Sequence, residues 1–231
     1  NSAKRTSWKC LSAPIMTELK GYIDSVYCGS GIDGDGLRVV VFFAGCNLRC
    51  KFCHNPETLF RQGNAVTVDE IVKKCLRYRG YLRRGGVTLS GGEPFLQKEF
   101  CLAVISTLKA ENVNVAVETN GQIADKEIIT ATDAFIVDVK NQDDFLSVCD
   151  REDKPVVLTN VIVPEVNGSP DKTGQLKFLK DRHACVTRIK FLPFHKMCEE
   201  KYKNLDRPFL YEKYREAEPS DIDAAYDVCK E

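Results

Sequence analysis

The sequence lacks an excess of charge of either sign, because 33 lysine and arginine residues are matched by 33 aspartate and glutamate residues. A chain without net charge has no long-range field to attract a nucleic acid or an anionic membrane surface. It also lacks an apolar run of membrane-spanning length, and its first residues lack the apolar segment of a secretory signal. We therefore expect a cytoplasmic protein that binds neither nucleic acid nor membrane.

Low-complexity tracts and long linkers are missing as well. A length of 231 residues, with 43% hydrophobic and 29% charged residues, suits one globular domain with short extensions. We expect residues 1–21 to be an N-terminal extension, whose order the sequence leaves open, and residues 22–231 to form a single domain.

Cysteine, in contrast, is abundant. The chain has 11 cysteines, an odd number, and without a secretory signal this predicts free thiols or metal ligands in a reducing compartment. Eight of them are scattered, and we interpret those as small buried hydrophobic residues. The other three, Cys46, Cys50 and Cys53, share one loop.

Apolar runs alternate with helical patterns along the chain, one of them opened by the capping-box sequence Thr67–Glu70. This alternation favours a parallel sheet with helices outside, but it does not separate an open doubly wound sheet from a partial or closed barrel. The predicted strands are 39–43, 87–89, 113–117, 134–139, 156–163 and 187–192.

Polar clusters follow five of these predicted strands. Parallel α/β folds build their ligand sites at the carboxyl ends of the strands, so the clusters should converge on one site. The clusters are Cys46–Glu57, Ser90–Pro94, Glu118–Gly121, Asp138–Lys140 and Pro193–His195.

The cysteine loop has the ligand spacing C-x3-C-x2-C. Close spacing lets one loop surround a compact cluster, and thiolates are the soft ligands that iron–sulfur clusters need. Three protein ligands leave a position open for substrate, as in catalytic zinc sites. Structural zinc with His54 as the fourth ligand is the alternative. It is disfavoured because His54 directly follows Cys53, and adjacent residues rarely point at one ion.

With Phe52 in the aromatic position, the loop resembles the C-x3-C-x-aromatic-C motif of the radical S-adenosylmethionine superfamily. The segments Gly31–Arg38 and Cys53–Thr58 further resemble the glycyl-radical-enzyme activases, most closely the pyruvate formate-lyase type. The resemblance runs from about Tyr22 to Tyr214. It implies a partial (β/α)6 barrel of parallel strands with outer helices, and a radical S-adenosylmethionine domain over residues 22–231.

The resemblance implies a [4Fe–4S] cluster on the three cysteines, with S-adenosylmethionine bound to the unique iron. Such enzymes cleave S-adenosylmethionine reductively and abstract a hydrogen atom from a glycine Cα of a partner glycyl radical enzyme. The expected partner is pyruvate formate-lyase, and the expected electron donor is a flavodoxin or a ferredoxin. The chain would then be an oxidoreductase of the [formate-C-acetyltransferase]-activating type, and no catalytic residue beyond the cofactor ligands is assigned.

The other clusters acquire roles from the same resemblance. The family's GGE motif, whose backbone accepts the amino group of the cofactor, corresponds to Gly91–Glu93, and Lys140 is placed to pair with the methionyl carboxylate. The complete implied cofactor-binding set is Phe52, His54, Gly91, Gly92, Glu93, Asp138, Val139, Lys140 and His195.

A small monovalent cation site on Glu118, Thr119 and Asp138 is also implied, since hard cations prefer oxygen ligands. An ordinary ion pair between Asp138 and Lys140 is the alternative interpretation of that strand end.

Two positions depart from the family pattern: Asp35 stands where the family has proline, and Thr159 stands where it usually has arginine. The segment Thr58–Asp69 contains no second cysteine cluster, so the ferredoxin-like insert of the larger activases is missing. His183 has no partner signal, and we expect it on the surface.

Two alternative functions stay open. One is an activase of anaerobic ribonucleotide reductase, and the other is a non-catalytic zinc or iron–sulfur binding module. For an activase, Phe191–His195 and Met197–Tyr214 are candidate contacts with the protein substrate, and a solvated tail is the alternative interpretation of the second segment.

Overall fold

The computed structural model describes residues 18–140 and 142–230, which include one eight-stranded sheet. The strands are β1 (Lys20–Ser30), β2 (Arg38–Phe43), β3 (Asn64–Thr67), β4 (Gly86–Gly91), β5 (Val115–Thr119), β6 (Ala134–Asp138), β7 (Val156–Ile162) and β8 (Val186–Pro193). Their order in the sheet is β3-β1-β2-β4-β5-β6-β7-β8.

Six of these strands, β2 and β4 to β8, run parallel to their neighbours. They correspond to the six strands predicted from the apolar runs, although β5 begins two residues later than predicted. The predicted partial (β/α)6 barrel of parallel strands is confirmed.

Two antiparallel strands were not predicted. β1 pairs with β2 on one side and with β3 on the other. β1 lies near the edge of the sheet, and apart from Gly21, Ile23 and Ser30 its residues are partly or fully exposed. The mixed polar sequence from Tyr22 to Cys28 therefore gives no continuous apolar run to detect.

Helices connect the strands on the outer face. Among the described residues they are α1 (Val68–Leu76), α2 (Arg79–Leu82), α3 (Lys98–Ala110), α4 (Lys126–Ala131), α5 (Asp143–Arg151), α6 (Pro164–Asn167), α7 (Pro170–Arg182), α8 (Glu199–Asn204) and α9 (Pro219–Lys230). The predicted capping box opens α1: Thr67 Oγ1 accepts from Glu70 N at 3.2 Å, and Glu70 Oε2 accepts from Thr67 N at 2.7 Å. No helix in the described ranges is both long and apolar enough to span a bilayer.

Successive side chains of a strand point to opposite faces, and this sorts the barrel residues into two sets. One set, with Val39, Val41 and Phe43 in β2, packs under the outer helices in the main hydrophobic core. The other set faces the lumen of the barrel and is more polar. It includes Arg38, Thr88, Ser90, Glu118, Thr159 and Lys190.

A second, smaller core lies beside the carboxyl ends of the strands. Phe194, Tyr202 and Phe209 are buried in it, and Phe52 of the cysteine loop packs against them. The interpretation of Met197–Tyr214 as a solvated tail is therefore wrong, because this segment supplies the aromatic side chains of a core.

The expectation for His183 was also wrong. This residue is buried, with Nδ1 2.6 Å from Asp150 Oδ2 and Nε2 3.2 Å from Asp143 Oδ1. Both carboxylates belong to α5, which is distant in sequence, so the region around His183 carries no sign of them.

The scattered cysteines largely follow the prediction. Cys75, Cys101, Cys149, Cys185 and Cys198 are buried, while Cys28 and Cys229 are half-buried. Cys10 lies outside the described residues, as do residues 1–17 of the expected N-terminal extension. The last two residues of that extension, Lys20 and Gly21, begin β1.

The main core predicts where stability is concentrated. Phe145 is fully buried, 5.2 Å from the Phe135 ring and 5.8 Å from the Phe95 ring between centroids. We expect Phe145→Ala to lower the free energy of unfolding by about 3–5 kcal/mol, because it leaves a cavity among these rings. Urea unfolding measures the change. Phe178→Ala, at a position 62% exposed, is the matched control and should change stability by less than about 0.5 kcal/mol. Equal effects would contradict the assignment of the core.

Candidate functional site

The cysteine loop leaves the end of β2 and is closed by backbone hydrogen bonds. Gly45 N donates to Thr58 O at 2.8 Å, and Cys46 N donates to Leu59 O at 3.3 Å. These contacts fix the loop against the 3-10 turn Pro56–Leu59. Gly45 has φ of +99°, a conformation that side chains other than glycine rarely adopt. The backbone thus holds both ends of the loop while its three cysteines stay half-buried.

Burial raises the pKa of all three loop thiols, and it raises that of Cys53 to about 12. Without a cation the thiols therefore stay protonated at neutral pH, and binding of a metal cluster would release their protons. Among the described residues, no three His, Cys, Asp or Glu side chains are gathered closely enough to hold one metal ion. The three thiols do act on one another's pKa, so these soft donors are near neighbours in one loop, as the ligands of a single iron–sulfur cluster must be.

The end of β4 touches the cysteine loop through backbone alone. Gly92 N donates to Phe43 O at 2.8 Å, and Glu93 N donates to Gly45 O at 2.8 Å. A Cβ on Gly92 would lie 2.1 Å from Gly45 O, and a Cβ on Gly91 would lie 2.3 Å from Phe43 N. The two glycines therefore allow a contact between these segments that no side chain would permit.

The Glu93 carboxylate is buried and braces the end of β5. It accepts hydrogen bonds from Thr119 Oγ1 at 2.8 Å and from Asn120 N at 2.9 Å. Burial raises its pKa, and these hydrogen bonds oppose the shift. The side chain of Glu93 is thus occupied within the protein, which leaves its backbone and that of the preceding glycines beside the cysteine loop.

Two asparagines that sequence reasoning missed extend this network. Asn120 Nδ2 donates to Asn47 Oδ1 at 2.8 Å, and Asn47 Nδ2 donates to Gln122 Oε1 at 3.3 Å. These bonds join the segment after β5 directly to the cysteine loop. The only signal in the sequence is that both asparagines lie within predicted polar clusters, each directly after a predicted ligand residue.

The predicted cation ligands lie at the ends of two adjacent strands, β5 and β6. Ser90 Oγ donates to Glu118 Oε2 at 2.5 Å, the Thr119 hydroxyl contacts Glu93, and Lys140 Nζ donates to Asp138 Oδ2 at 2.6 Å. Each side chain therefore has a protein partner, while Asp138 Oδ1 is buried without one. The cation site stays a prediction.

Lys140 and Phe52 face each other across the site. The Lys140 ammonium lies 5.8 Å from the Phe52 ring centroid, within reach of a weak cation–π interaction. The Phe52 ring packs 5.4 Å from Tyr211 and 6.4 Å from Phe194. The second core therefore fixes the aromatic residue that stands between two of the cysteines.

His54 and His195 stack with ring centroids 4.3 Å apart. Burial, followed by the neighbouring His195, lowers the pKa of His54 to about 4, so this imidazole is neutral. His54 Nε2 and His195 Nδ1 are both buried without a hydrogen-bond partner. A buried polar atom without a partner is unfavourable, and a ligand with purine-type donors and acceptors would supply one. The residues present therefore fit an adenosine-bearing cofactor.

The contacts above join the other four predicted clusters to the cysteine cluster or to each other. Together with Asp138 Oδ1, the two histidine nitrogens make three of the four unpartnered buried side-chain polar atoms found among the described residues. The fourth, Glu57 Oε2, belongs to a carboxylate that pairs with Lys201 at 2.6 Å in the same region.

Comparison with known proteins agrees with this geometry. A family model described as a 4Fe-4S single cluster domain matches residues 32–151, just over half of the chain. The pyruvate formate-lyase-activating enzyme of Clostridium pasteurianum is 33% identical over 222 residues, covering 87% of this chain and 92% of the relative. That of Staphylococcus epidermidis is 32% identical over 241 residues, covering 92% and 95%.

Among solved structures, a radical SAM methyltransferase from Sphaerobacter thermophilus superimposes with a TM-score of 0.59 at 15% identity. The match covers 91% of this chain and 74% of the methyltransferase. At that identity the likeness concerns the fold alone.

The lumen carboxyl of Glu118 predicts a pH dependence. Burial raises its pKa to about 7 from 4.5, with the Ser90 hydrogen bond opposing the shift. The folded chain keeps this proton up to neutral pH, whereas the unfolded chain releases it near pH 4.5. The contribution of Glu118 to the free energy of unfolding is therefore full below pH 4.5 and is lost as pH rises through 7. We expect Glu118→Gln to gain stability relative to the parent chain between about pH 5 and pH 8.

Urea unfolding at both pH values, in buffers free of small metal cations, measures this gain. The exposed substitution Glu200→Gln is the control for the carboxamide change itself. A difference between Glu118→Gln and the parent chain that is the same at both pH values would contradict the assignment.

Proposed function

The chain belongs to the family of pyruvate formate-lyase-activating enzymes, and on this premise we propose that it installs a glycyl radical in pyruvate formate-lyase. Its cofactors are a [4Fe–4S] cluster and S-adenosylmethionine. It would cleave S-adenosylmethionine reductively and abstract one hydrogen atom from the Cα of a glycine in the partner. The observation that carries the proposal is the backbone contact of the Gly91–Glu93 segment with the cysteine loop, because it brings a cofactor-binding segment to the cluster ligands.

Cys46, Cys50 and Cys53 would hold the cluster. When bound, the cluster supplies the single electron that splits S-adenosylmethionine into methionine and a carbon radical able to take the glycine hydrogen. The task of the protein is to hold the reactants in place and to exclude water from them. The raised pKa of Cys53, which burial causes, is consistent with the second part of that task.

The cofactor would lie among the unpartnered polar atoms of the site. Lys140 is the cation available to the methionyl carboxylate, and the half-buried backbone of Gly91 and Gly92 is available to the amino group. His54 and His195 would contact the adenine, with Phe52 beside them. Val139 and Asp138 complete the set at the end of β6.

A monovalent cation near the cofactor is part of the proposal. Glu118 and Asp138 lie on adjacent strands, and the neighbouring Asp138 contributes to the raised pKa of Glu118. A small cation between Glu118, Thr119 and Asp138 would allow both carboxylates to ionise.

The protein substrate would enter beside the second core. Met197 is 82% exposed and Leu210 is 56% exposed, although they are next in the chain to Cys198 and Phe209, which are buried in that core. Exposed apolar side chains next to a site are typical of a surface that another protein covers. We therefore assign the contact with the glycine-bearing loop to Phe191–His195 and Met197–Tyr214.

The electron donor would approach from the outer side of the cysteine loop. Cys50 lines a groove of 330 Å³ together with Arg49, Lys51 and Arg207. Of the three cluster cysteines, it is the only one at this groove, which gives an electron a short route from outside. The basic side chains suit an acidic electron carrier of the flavodoxin or ferredoxin type. We place the chain in the cytoplasm, since its thiols must stay reduced to bind the cluster.

The first test replaces a cluster ligand. After anaerobic reconstitution, Cys50→Ser should lose most of its iron and all 5′-deoxyadenosine formation under dithionite, because an alcohol does not replace a thiolate on iron. Cys198→Ser, at a buried cysteine of the second core, is the matched control and should keep both. Mixing the parent chain with pyruvate formate-lyase should then give a glycyl radical doublet by electron paramagnetic resonance.

Three results would count against the proposal in different ways. Stoichiometric zinc without iron would favour a zinc-binding module. Iron binding without 5′-deoxyadenosine would favour a non-catalytic iron–sulfur module. A doublet only with anaerobic ribonucleotide reductase would favour the other activase.

The second test concerns the donor groove. Replacing Lys51 and Arg207 together by Gln should lower the rate with reduced flavodoxin about tenfold and weaken its salt dependence, because steering charges are lost. The rate with dithionite should stay unchanged. Arg151→Gln, an exposed arginine on α5, is the matched control. Equal losses with both reductants would show damage to the cluster loop rather than to a docking surface.

A further inference from the structure

A second cavity lies at the opposite end of the barrel from the cysteine loop. It has a volume of 520 Å³ and opens at the amino ends of the parallel strands, where Arg38, Asn114 and Pro155 line it. This is the size range of pockets that enclose small organic molecules. The cavity shares no lining residue with the cysteine loop or the cofactor-binding set, so the proposed function makes no use of it.

The lining of this cavity, which we call the lower cavity, is strongly basic. Five cationic side chains line it, while the carboxylates are those of Asp35 and Asp133 alone. Asp133 already pairs with Lys109 at 2.7 Å, and Asp35 is 3.6 Å from Arg188. The five are Arg38, Arg83, Arg84, Arg188 and Lys190.

Among the described residues, no carboxylate lies within ion-pair distance of Arg83 or Arg84. Other exposed basic side chains of the chain, in contrast, form short ion pairs with carboxylates. Residues 1–17 contain no aspartate or glutamate that would neutralise these arginines. Among the described lining residues, the cations of the lower cavity therefore outnumber the carboxylates.

Arg38 carries this charge into the protein. It is only 3% exposed, and its guanidinium binds neutral oxygens: Thr88 Oγ1 at 3.0 Å, Asn114 Oδ1 at 2.8 Å and Val87 O at 2.7 Å. No carboxylate of the described residues lies within ion-pair distance of this buried cation. Burial lowers the pKa of Arg38 to about 10, although Asp35, Asp133 and Asp33 oppose the shift from farther away. An anion in the lower cavity would supply the missing charge.

Small side chains keep the lumen open above these arginines. Ala116 and Thr159 line the cavity from β5 and β7, and Ile136 and Val157 give it apolar walls. Thr159 stands where the family usually has arginine, and Asp35, the other departure from the family pattern, lines the same cavity. The two positions at which the chain departs from the family pattern, Asp35 and Thr159, therefore both line the lower cavity.

We propose that the lower cavity binds a phosphate-bearing small organic molecule, with its phosphate among Arg84, Arg188 and Arg38 and its organic part against Ile136 and Val157. Arginine forks match the geometry of phosphate oxygens, and a phosphate dianion suits the excess of positive charge better than a single carboxylate does. The apolar walls inside the barrel call for a body larger than the phosphate alone.

Calorimetric titration of the reconstituted chain tests this, with S-adenosylmethionine saturating so that its own site is closed to the probes. The probes are uridine 5′-monophosphate, phenyl phosphate, inorganic phosphate and uridine. We expect saturable binding of at least one phosphate monoester, at least tenfold weaker binding of inorganic phosphate, and no binding of uridine. The double variant Arg84→Gln with Arg188→Gln should weaken monoester binding at least tenfold, and Arg151→Gln should leave it unchanged.

A substitution that fills the lumen distinguishes binding of the organic part inside the barrel from binding of phosphate at the rim of the cavity. Ala116→Leu should weaken binding of the monoester at least tenfold while leaving that of inorganic phosphate as it is. No saturable binding of either monoester would overturn the proposal, as would equal affinity in the arginine double variant and the parent chain. Equal affinity for inorganic phosphate and the monoesters would show a surface anion site only. None of these outcomes depends on radical formation, so this experiment tests the lower cavity independently of the proposed function.

Discussion

Contact between the backbone of two loops without any side chain between them is the constraint on which the site depends. The Gly92 Cα faces the Gly45 carbonyl so closely that a methyl group would overlap it. Because the two strands before these loops, β2 and β4, are direct parallel neighbours, their carboxyl ends are already side by side. The glycines then remove the last steric barrier, and the hydrogen bond from Glu93 N to Gly45 O fixes the result.

A buried carboxylate transmits this arrangement to the next strand. Glu93 binds Thr119 and the backbone of Asn120, and Asn120 returns to Asn47 in the cysteine loop. The ends of β2, β4 and β5 are thus connected in a closed circuit of hydrogen bonds. Such a circuit favours a single loop geometry, which a site that must orient a reactive cofactor requires.

The sequence was informative wherever a local pattern determines structure. The six apolar runs predicted six parallel strands, the Thr67–Glu70 pattern predicted a helix start, and the family motifs identified the loop that carries the cysteines. Prediction failed where the partner lies far along the chain. The two carboxylates around His183 come from α5, and the aromatic residues around Phe52 come from a segment about 150 residues later. The lower cavity exists because the side chains of Ala116 and Thr159 are small. The sequence pattern does not show that these two residues face the same lumen, because they belong to different strands.

The sheet ends at β3 on one side and at β8 on the other, and in the described part of the chain no backbone ladder joins these edges. Side-chain contacts cross part of the gap between these edges. Lys190 Nζ donates a hydrogen bond to Ile32 O at 3.1 Å, and Arg188 forms an ion pair with Asp35 at 3.6 Å. Exposed contacts of this kind are worth little, about 0–1 kcal/mol each. The barrel is therefore a split ring: in the described part of the chain no ladder hydrogen bond crosses the seam, which the Phe52–Phe194 and His54–His195 ring contacts close at the carboxyl ends of the strands. A folded partner could present one extended loop to the interior while both proteins keep their sheets intact.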